Sequence, residues 1–176
     1  ESGNAAAMGY SLESGIPYGQ AFVKNTYVGR TFIKPKQSMR EQSVKIKLNV
    51  LKENVKGKRI IMVDDSIVRG TTIAILIRML KEAGALEVHV RISSPPFLHP
   101  CYFGTDVPSN DQLIAASHST EEICKMIGAD SLGYMQTDYL EGMAGGLPLC
   151  KACFDGNYPM EIPDYTNAEF ADIVKC

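Results

Sequence analysis

Long apolar runs are missing from this chain of 176 residues. None approaches the roughly 20 residues that a membrane-spanning helix needs, so no membrane partner is expected. A charge excess is missing too: 18 Lys and Arg stand against 20 Asp and Glu, a net charge of −2. No global basic field therefore draws the chain to nucleic acid. Neither GxxxxGK[ST] nor a GxGxxG behind a strand occurs, which removes Walker-type and dinucleotide-binding loops. Internal repeats, low-complexity stretches and a signal peptide are also absent. The chain opens at Glu1-Ser2-Gly3 without a Met, so the missing signal decides little. His89, His99 and His118 show no partner spacing, and none is a strong catalytic candidate.

What is present suits one domain with a real core, since 45% of the residues are hydrophobic. The five cysteines are Cys101, Cys124, Cys150, Cys153 and Cys176. An odd number scattered through an α/β pattern argues against a secreted disulfide framework. It points to a cytoplasmic protein with reduced or metal-bound thiols.

The periodicity predicts a helix over Ala5 to Ser14 with Gly15 as its stop, then a strand over Tyr18 to Lys24. Lys24 to Gln42 lacks a period and is expected to be a long loop. A helix is predicted over Ser43 to Val55, with Val44, Leu48, Leu51 and Val55 on one face. Lys58 to Val63 follows as the central strand, and Thr72 to Ala83 as the helix behind it, burying Ile73, Leu76, Ile77 and Leu80. Leu86 to Ile92 is the next strand, and Ser94 to Pro108 a Pro-rich loop with a short strand near Cys101. Ser109-Asn110-Asp111-Gln112 has the pattern of a capping box for a helix through Ala116. Thr120 to Ile127 is a further helix stopped by Gly128, Ser131 to Met135 a last strand, and Thr137 to Met143 a short helix. Alternating strands and helices imply a doubly wound, mostly parallel α/β sheet.

The most informative stretch is RIIMVDDSIVRGTT, Arg59 to Thr72. Ile60 to Val63 is an unbroken apolar run, as expected of a parallel strand covered on both faces. Asp64 and Asp65 fall where that strand ends, the edge at which open α/β sheets bind ligands. The turn Ser66 to Thr71 offers backbone N–H groups and a helix N-terminus, which together favour an anion. Two carboxylates beside an amide cradle suit a phosphorylated sugar: the cradle takes the phosphate, and the acids take vicinal hydroxyls or a divalent cation.

Residues 24 to 47 are locally basic, with Lys24, Arg30, Lys34, Lys36, Arg40, Lys45 and Lys47 against Glu41 alone. A lid over a pyrophosphate, a nucleic-acid patch and a solvated face all fit that bias. Glu1-Ser2-Gly3-Asn4 before a helix fits a second anion or metal turn, or a plain helix cap. Cys150-Lys151-Ala152-Cys153 has metal-ligand spacing, shared among zinc, redox and iron–sulfur chemistry, with Cys101 as a third ligand; free thiols are the alternative. Cys124 shares a helical apolar face with Ile123 and Ile127, and is expected in the core.

These residues carry a resemblance. IIMVDDSIVRGTT resembles the phosphoribosyl pyrophosphate motif of the type I phosphoribosyltransferases. GIPYGQAFVKNTYVGRTFIKP, VDDSIVRGTT and ISSPPFLHPCYFGTDVPS resemble the C-terminal half of the glutamine phosphoribosylpyrophosphate amidotransferase family, from Glu1 to about Ile162. The resemblance implies a type I phosphoribosyltransferase fold over 1–148, lacking the family's N-terminal glutaminase domain, and a Cys-containing tail over 149–176. It implies transfer of ammonia, from glutamine in the full-length enzyme, to phosphoribosyl pyrophosphate, the first step of purine synthesis. Asp64 and Asp65 would engage the ribose and Mg2+, with Ser2 contributing to the metal. Ser66, Ile67, Val68, Arg69, Gly70, Thr71 and Thr72 would cradle the 5-phosphate. Arg30 and Lys47, with Lys24, would belong to a loop that closes on the pyrophosphate. Cys101, Cys150 and Cys153 match three ligands of the family's four-iron four-sulfur cluster, the fourth lying upstream. Purine nucleotides as inhibitors and a homo-oligomer are further implications. The alternative is a non-catalytic regulator of the same fold that binds nucleotide or nucleic acid through the basic stretch.

Overall fold

The computed structural model describes residues 2–25, 48–104 and 109–162. A helix, α1 (Asn4–Ser14), leads to a two-stranded antiparallel ribbon of β1 (Phe22–Lys24) and β2 (Leu48–Val50). One helical turn, α2 (Lys52–Val55), precedes β3 (Arg59–Asp64), α3 (Thr71–Glu82) and β4 (Glu87–Ile92). A 3-10 turn (Asn110–Gln112) then leads through α4 (Ile114–Ser117) and α5 (Thr120–Ile127) to β5 (Ser131–Tyr134). Short helices α6 (Tyr139–Met143) and α7 (Ala152–Asp155) follow.

Strands β3, β4 and β5 form a parallel sheet in that order. Parallel pairing needs crossovers, and α3 and α5 supply them, packing on one face of the sheet. Val88, Val90 and Ile92 of β4 point into that layer and are almost fully buried. They meet Ile73, Ile77 and Leu80 of α3, Ile123 and Ile127 of α5, and Val55 and Ile67. Leu80 is completely buried, so its truncation to Ala costs roughly 2–5 kcal/mol. The remaining β4 side chains form a polar row on the opposite face. His89 Nε2 lies 2.8 Å from Glu87 Oε2, and its Nδ1 lies 2.9 Å from Ser131 Oγ. Arg91 donates to Ser131 Oγ at 3.1 Å.

Several elements differ from the pattern-based expectation. The helix predicted over Ser43 to Val55 survives only as α2; its 43–47 portion lies outside the described residues. Leu48-Asn49-Val50 is a strand because it alternates against Phe22-Val23-Lys24, and Leu51 N–H closes onto Ala21 O at 2.8 Å. The predicted strand from Tyr18 shortens to Phe22–Lys24. β3 is half-buried throughout its apolar run rather than covered on both faces, and among the described residues it is the sheet's edge strand. β4 is the middle one. In α3 Ile75 is buried where Leu76 was expected, and Leu76 is half-buried.

The capping box expected at Ser109 does not form. Gln112 Oε1 instead accepts a hydrogen bond from Arg69, and buried Leu113 breaks the helix into two pieces. A box does form at Ser119: its N–H donates to Glu122 Oε2 at 2.8 Å, and Glu122 N–H donates back to its Oγ at 3.3 Å. That Glu follows a Ser three residues earlier is a signal the sequence carried. The described part of the tail, 149–162, packs back onto the domain, with Phe154 against Phe97 at 5.1 Å between ring centroids. No described helix is long and apolar enough to cross a membrane.

Candidate functional site

Asp64 is the last residue of β3, and Asp65 the first beyond it. Asp64 O is held by Ser93 N–H at 3.0 Å, which aligns the strand ends. Asp65 N–H donates to Asp64 Oδ1 at 3.0 Å, so one carboxylate folds back over the turn while exposed Asp65 projects outward. Burial pushes the Asp64 carboxyl up to about 6, with the neighbouring Asp65 charge adding to the rise. Two acids this close repel, and a divalent cation or a hydroxyl-rich ligand relieves that strain.

The turn at residues 2–4 lies directly against them. Gly3 is buried, and a Cβ there would stand 2.6 Å from Val63 O and 3.1 Å from Asp64 Cα. Only a residue without a side chain lets the start of α1 approach the strand end this closely. The Glu1-Ser2-Gly3-Asn4 turn is expected from the sequence, with Ser2 as its ligand; that Gly3 is what lets it reach the end of β3 leaves no sign in the sequence beyond a glycine directly before a helix start. Ser2 is exposed beside it.

The loop from Ser66 to Gly70 is fastened from below. Ile67 is 3% exposed and belongs to the main core, so its side chain anchors while only its backbone faces the turn. Val68 packs on Phe97 and Leu113, and its carbonyl accepts from Ile114 N–H at 2.9 Å. Arg69 is tied to Gln112. Gly70, at φ +75°, takes the left-handed conformation at the N-cap of α3, and a Cβ there would press on Ile114 Cδ1 at 3.0 Å. No side chain caps α3. Its first turn, with exposed Thr71 and Thr72, therefore presents amide N–H groups and the positive end of a 12-residue helix dipole. Lys24 ends β1 and is exposed. Arg30 and Lys47 lie outside the described residues.

A second constellation gathers the thiols. Cys101, Cys150 and Cys153 line one cavity of about 260 Å³ with Phe103, Gly104, Ala152 and Tyr158. Leu98 and His99 N–H groups both donate to Cys153 O, at 2.9 and 3.1 Å. Tyr158 donates to Pro100 O at 2.8 Å. Burial, then the neighbouring Cys101, pushes the Cys153 thiol up to about 11. A cation offsets that penalty, so the donor set fits a thiophilic metal group. Among the described residues no three His, Cys, Asp or Glu side chains form a ready cage for a single ion. Cys124 stands apart on α5, half-buried, with its thiol directed at Ala129 O.

No family model matches the chain. It is 54% identical over 170 residues to the amidophosphoribosyltransferase of Archaeoglobus fulgidus, covering 93% of this chain and 36% of that protein. Against the Bacillus subtilis amidophosphoribosyltransferase it is 51% identical over 171 residues, covering 92% and 35%. The chain thus spans about a third of the length of the curated relatives it matches. Among solved structures, glutamine phosphoribosylpyrophosphate amidotransferase from B. subtilis, complexed with ADP and GMP, superposes with a TM-score of 0.79 at 50% identity. It covers 92% of this chain and 37% of that one.

Proposed function

We propose, for a chain that belongs with the C-terminal phosphoribosyltransferase portion of the amidophosphoribosyltransferases, that the Asp64–Thr72 turn binds phosphoribosyl pyrophosphate and supports attack of ammonia on its anomeric carbon. The products are phosphoribosylamine and pyrophosphate. One observation carries this reading: paired carboxylates at the carboxyl end of β3 adjoin an uncapped helix opening at a left-handed glycine.

In this reading the first-turn amides of α3, with Ser66, Thr71 and Thr72, hold the 5-phosphate. Asp64 and Asp65 accept hydrogen bonds from the ribose hydroxyls and so orient the ring. Lys24, Arg30 and Lys47 neutralise charge on the departing pyrophosphate, which builds as the C–O bond breaks. Magnesium, held through Asp64, Asp65 and Ser2 with substrate oxygens, would supply further charge neutralisation. Two carboxylates suffice for it, because Mg2+ at such sites keeps waters and takes much of its shell from substrate phosphate. Ammonia derived from glutamine would come from a glutaminase domain outside this chain.

Cys101, Cys150 and Cys153, with a ligand from elsewhere, would hold a four-iron four-sulfur cluster whose contribution is a cross-link between the 97–104 segment and the tail. Because the B. subtilis relative was solved with ADP and GMP, purine nucleotides are proposed to bind here as inhibitors. A cytoplasmic homo-oligomer completes the reading. The test is pyrophosphate release from phosphoribosyl pyrophosphate, ammonia and Mg2+ by the full-length protein. Replacing Asp65 by Asn is expected to lower it about 100-fold; a variant within twofold of the parent would refute the assignment.

A further inference from the structure

We propose that Tyr158 is a shielding and positioning residue for the thiol cavity: its ring closes one wall and its hydroxyl fastens the segment bearing Cys101. It thereby sets how fast small molecules reach Cys101 and Cys153. The inference deepens the iron–sulfur reading given above and rests on it in part.

The geometry is specific. Tyr158 lines the cavity together with the three cysteines. Its hydroxyl donates at 2.8 Å to Pro100 O, the carbonyl adjoining Cys101. Its ring packs on Tyr102 at 5.3 Å and meets Phe103 edge-on at 6.3 Å. The N–H groups of Leu98 and His99 both donate to Cys153 O. The two thiol-bearing segments, some fifty residues apart in sequence, are thus joined by three hydrogen bonds and by ring contacts, and Tyr158 makes the hydrogen bond that adjoins Cys101. Cys150 is exposed, whereas Cys101 and Cys153 are half-buried. A shield therefore matters for those two thiols. Surrounding groups that limit solvent access govern the lifetime of a metal–thiolate centre as much as its ligands do.

Two arms test this in the full-length protein. In protein purified without oxygen, Tyr158→Ala is expected to bleach in air about tenfold faster than the parent, and Tyr158→Phe about threefold faster, since it keeps the ring and loses the hydroxyl bond. In iron-stripped protein, alkylation by a bulky maleimide, mapped by mass spectrometry, should quicken at Cys101 and Cys153 in Tyr158→Ala. Cys124, on α5 and away from the cavity, should keep its rate. Unchanged rates at Cys101 and Cys153, or an increase that Cys124 shares, overturn the proposal. Parent protein without iron or sulfide refutes the cluster reading instead, and the alkylation arm then judges Tyr158 alone. A Tyr158→Ala protein that fails to acquire iron is judged by the same arm.

Discussion

The turn after β3 and the thiol cavity are built in opposite ways. The turn is one continuous stretch, Asp64 to Thr72, held from beneath by core and loop contacts of Ile67, Val68 and Arg69. The cavity is assembled from Cys101 on one segment and Cys150, Cys153 and Tyr158 on another, joined by aromatic rings and three hydrogen bonds. A continuous site inherits its shape from a strand–turn–helix unit and fails when that unit is strained. A composite site fails when the segments part. The two meet at the cluster of Phe97 and Leu113, on which Val68, Cys153 and Phe154 all pack, so a change at one should reach the other chiefly through that contact.

The largest expected effect breaks that symmetry at the turn. Asp64→Asn should weaken phosphoribosyl pyrophosphate binding about 100-fold by calorimetry, while iron content stays at the parent level. The same change removes a half-buried charge facing another, so the metal-free protein should unfold at higher urea, the usual exchange of stability for function. A parallel loss of iron would show coupling beyond the shared Phe97 and Leu113 cluster. Next comes Gly3→Ala, which forces a methyl group against the Val63 carbonyl. It should destabilise the protein by about 2 kcal/mol in urea unfolding and raise the KM for the sugar phosphate, since the strand end must shift. Phe154→Ala tests the composite side: loss of the ring against Phe97 should quicken proteolysis of the tail and, because Val68 packs on the same cluster, lower the affinity for phosphoribosyl pyrophosphate by less than the Asp64 change does.

The smallest effect belongs to a group remote from both. Asp130 accepts from Val88 N–H at 2.7 Å and faces Lys81 Nζ at 3.1 Å, and the first of these holds its carboxyl below the usual carboxylate range. A depressed carboxylate adds stability above its unfolded-state pKa and loses it as pH falls through the folded value. Asp130→Asn should thus cost about 0.5 kcal/mol near neutral pH, given its solvent exposure. The difference from the parent should vanish in acid below the ordinary Asp range, with both sites unaffected.

That contrast also explains what the sequence disclosed. Arg59 to Thr72 was legible because its apolar run, paired acids and glycine are consecutive, and local chemistry decides their arrangement. The helix of Thr120 to Ile127 and its Gly128 stop were legible for the same reason. Leu48 to Val50 was misread because three residues fit either period, and the partner that settles it, Phe22–Lys24, lies far away in sequence. Ser109 misled because its box partner Gln112 is claimed by Arg69, a contact no window around Ser109 contains. The thiol spacing of Cys150 and Cys153 could be seen, but not the wall that Tyr158 makes, since ring packing leaves no periodic trace.

The hydrogen bonds from Arg69 to Gln112 and from Ile114 to Val68 carry a practical consequence for chimaeras. Residues 109–117 brace the bend at 66–70 from beneath. Transplanting that nine-residue patch from a distant homologue would therefore shift the backbone of the bend, and with it the affinity of the proposed site, without altering any amino acid between 64 and 72. Shuffling libraries that treat the two stretches as separate blocks would lose that linkage.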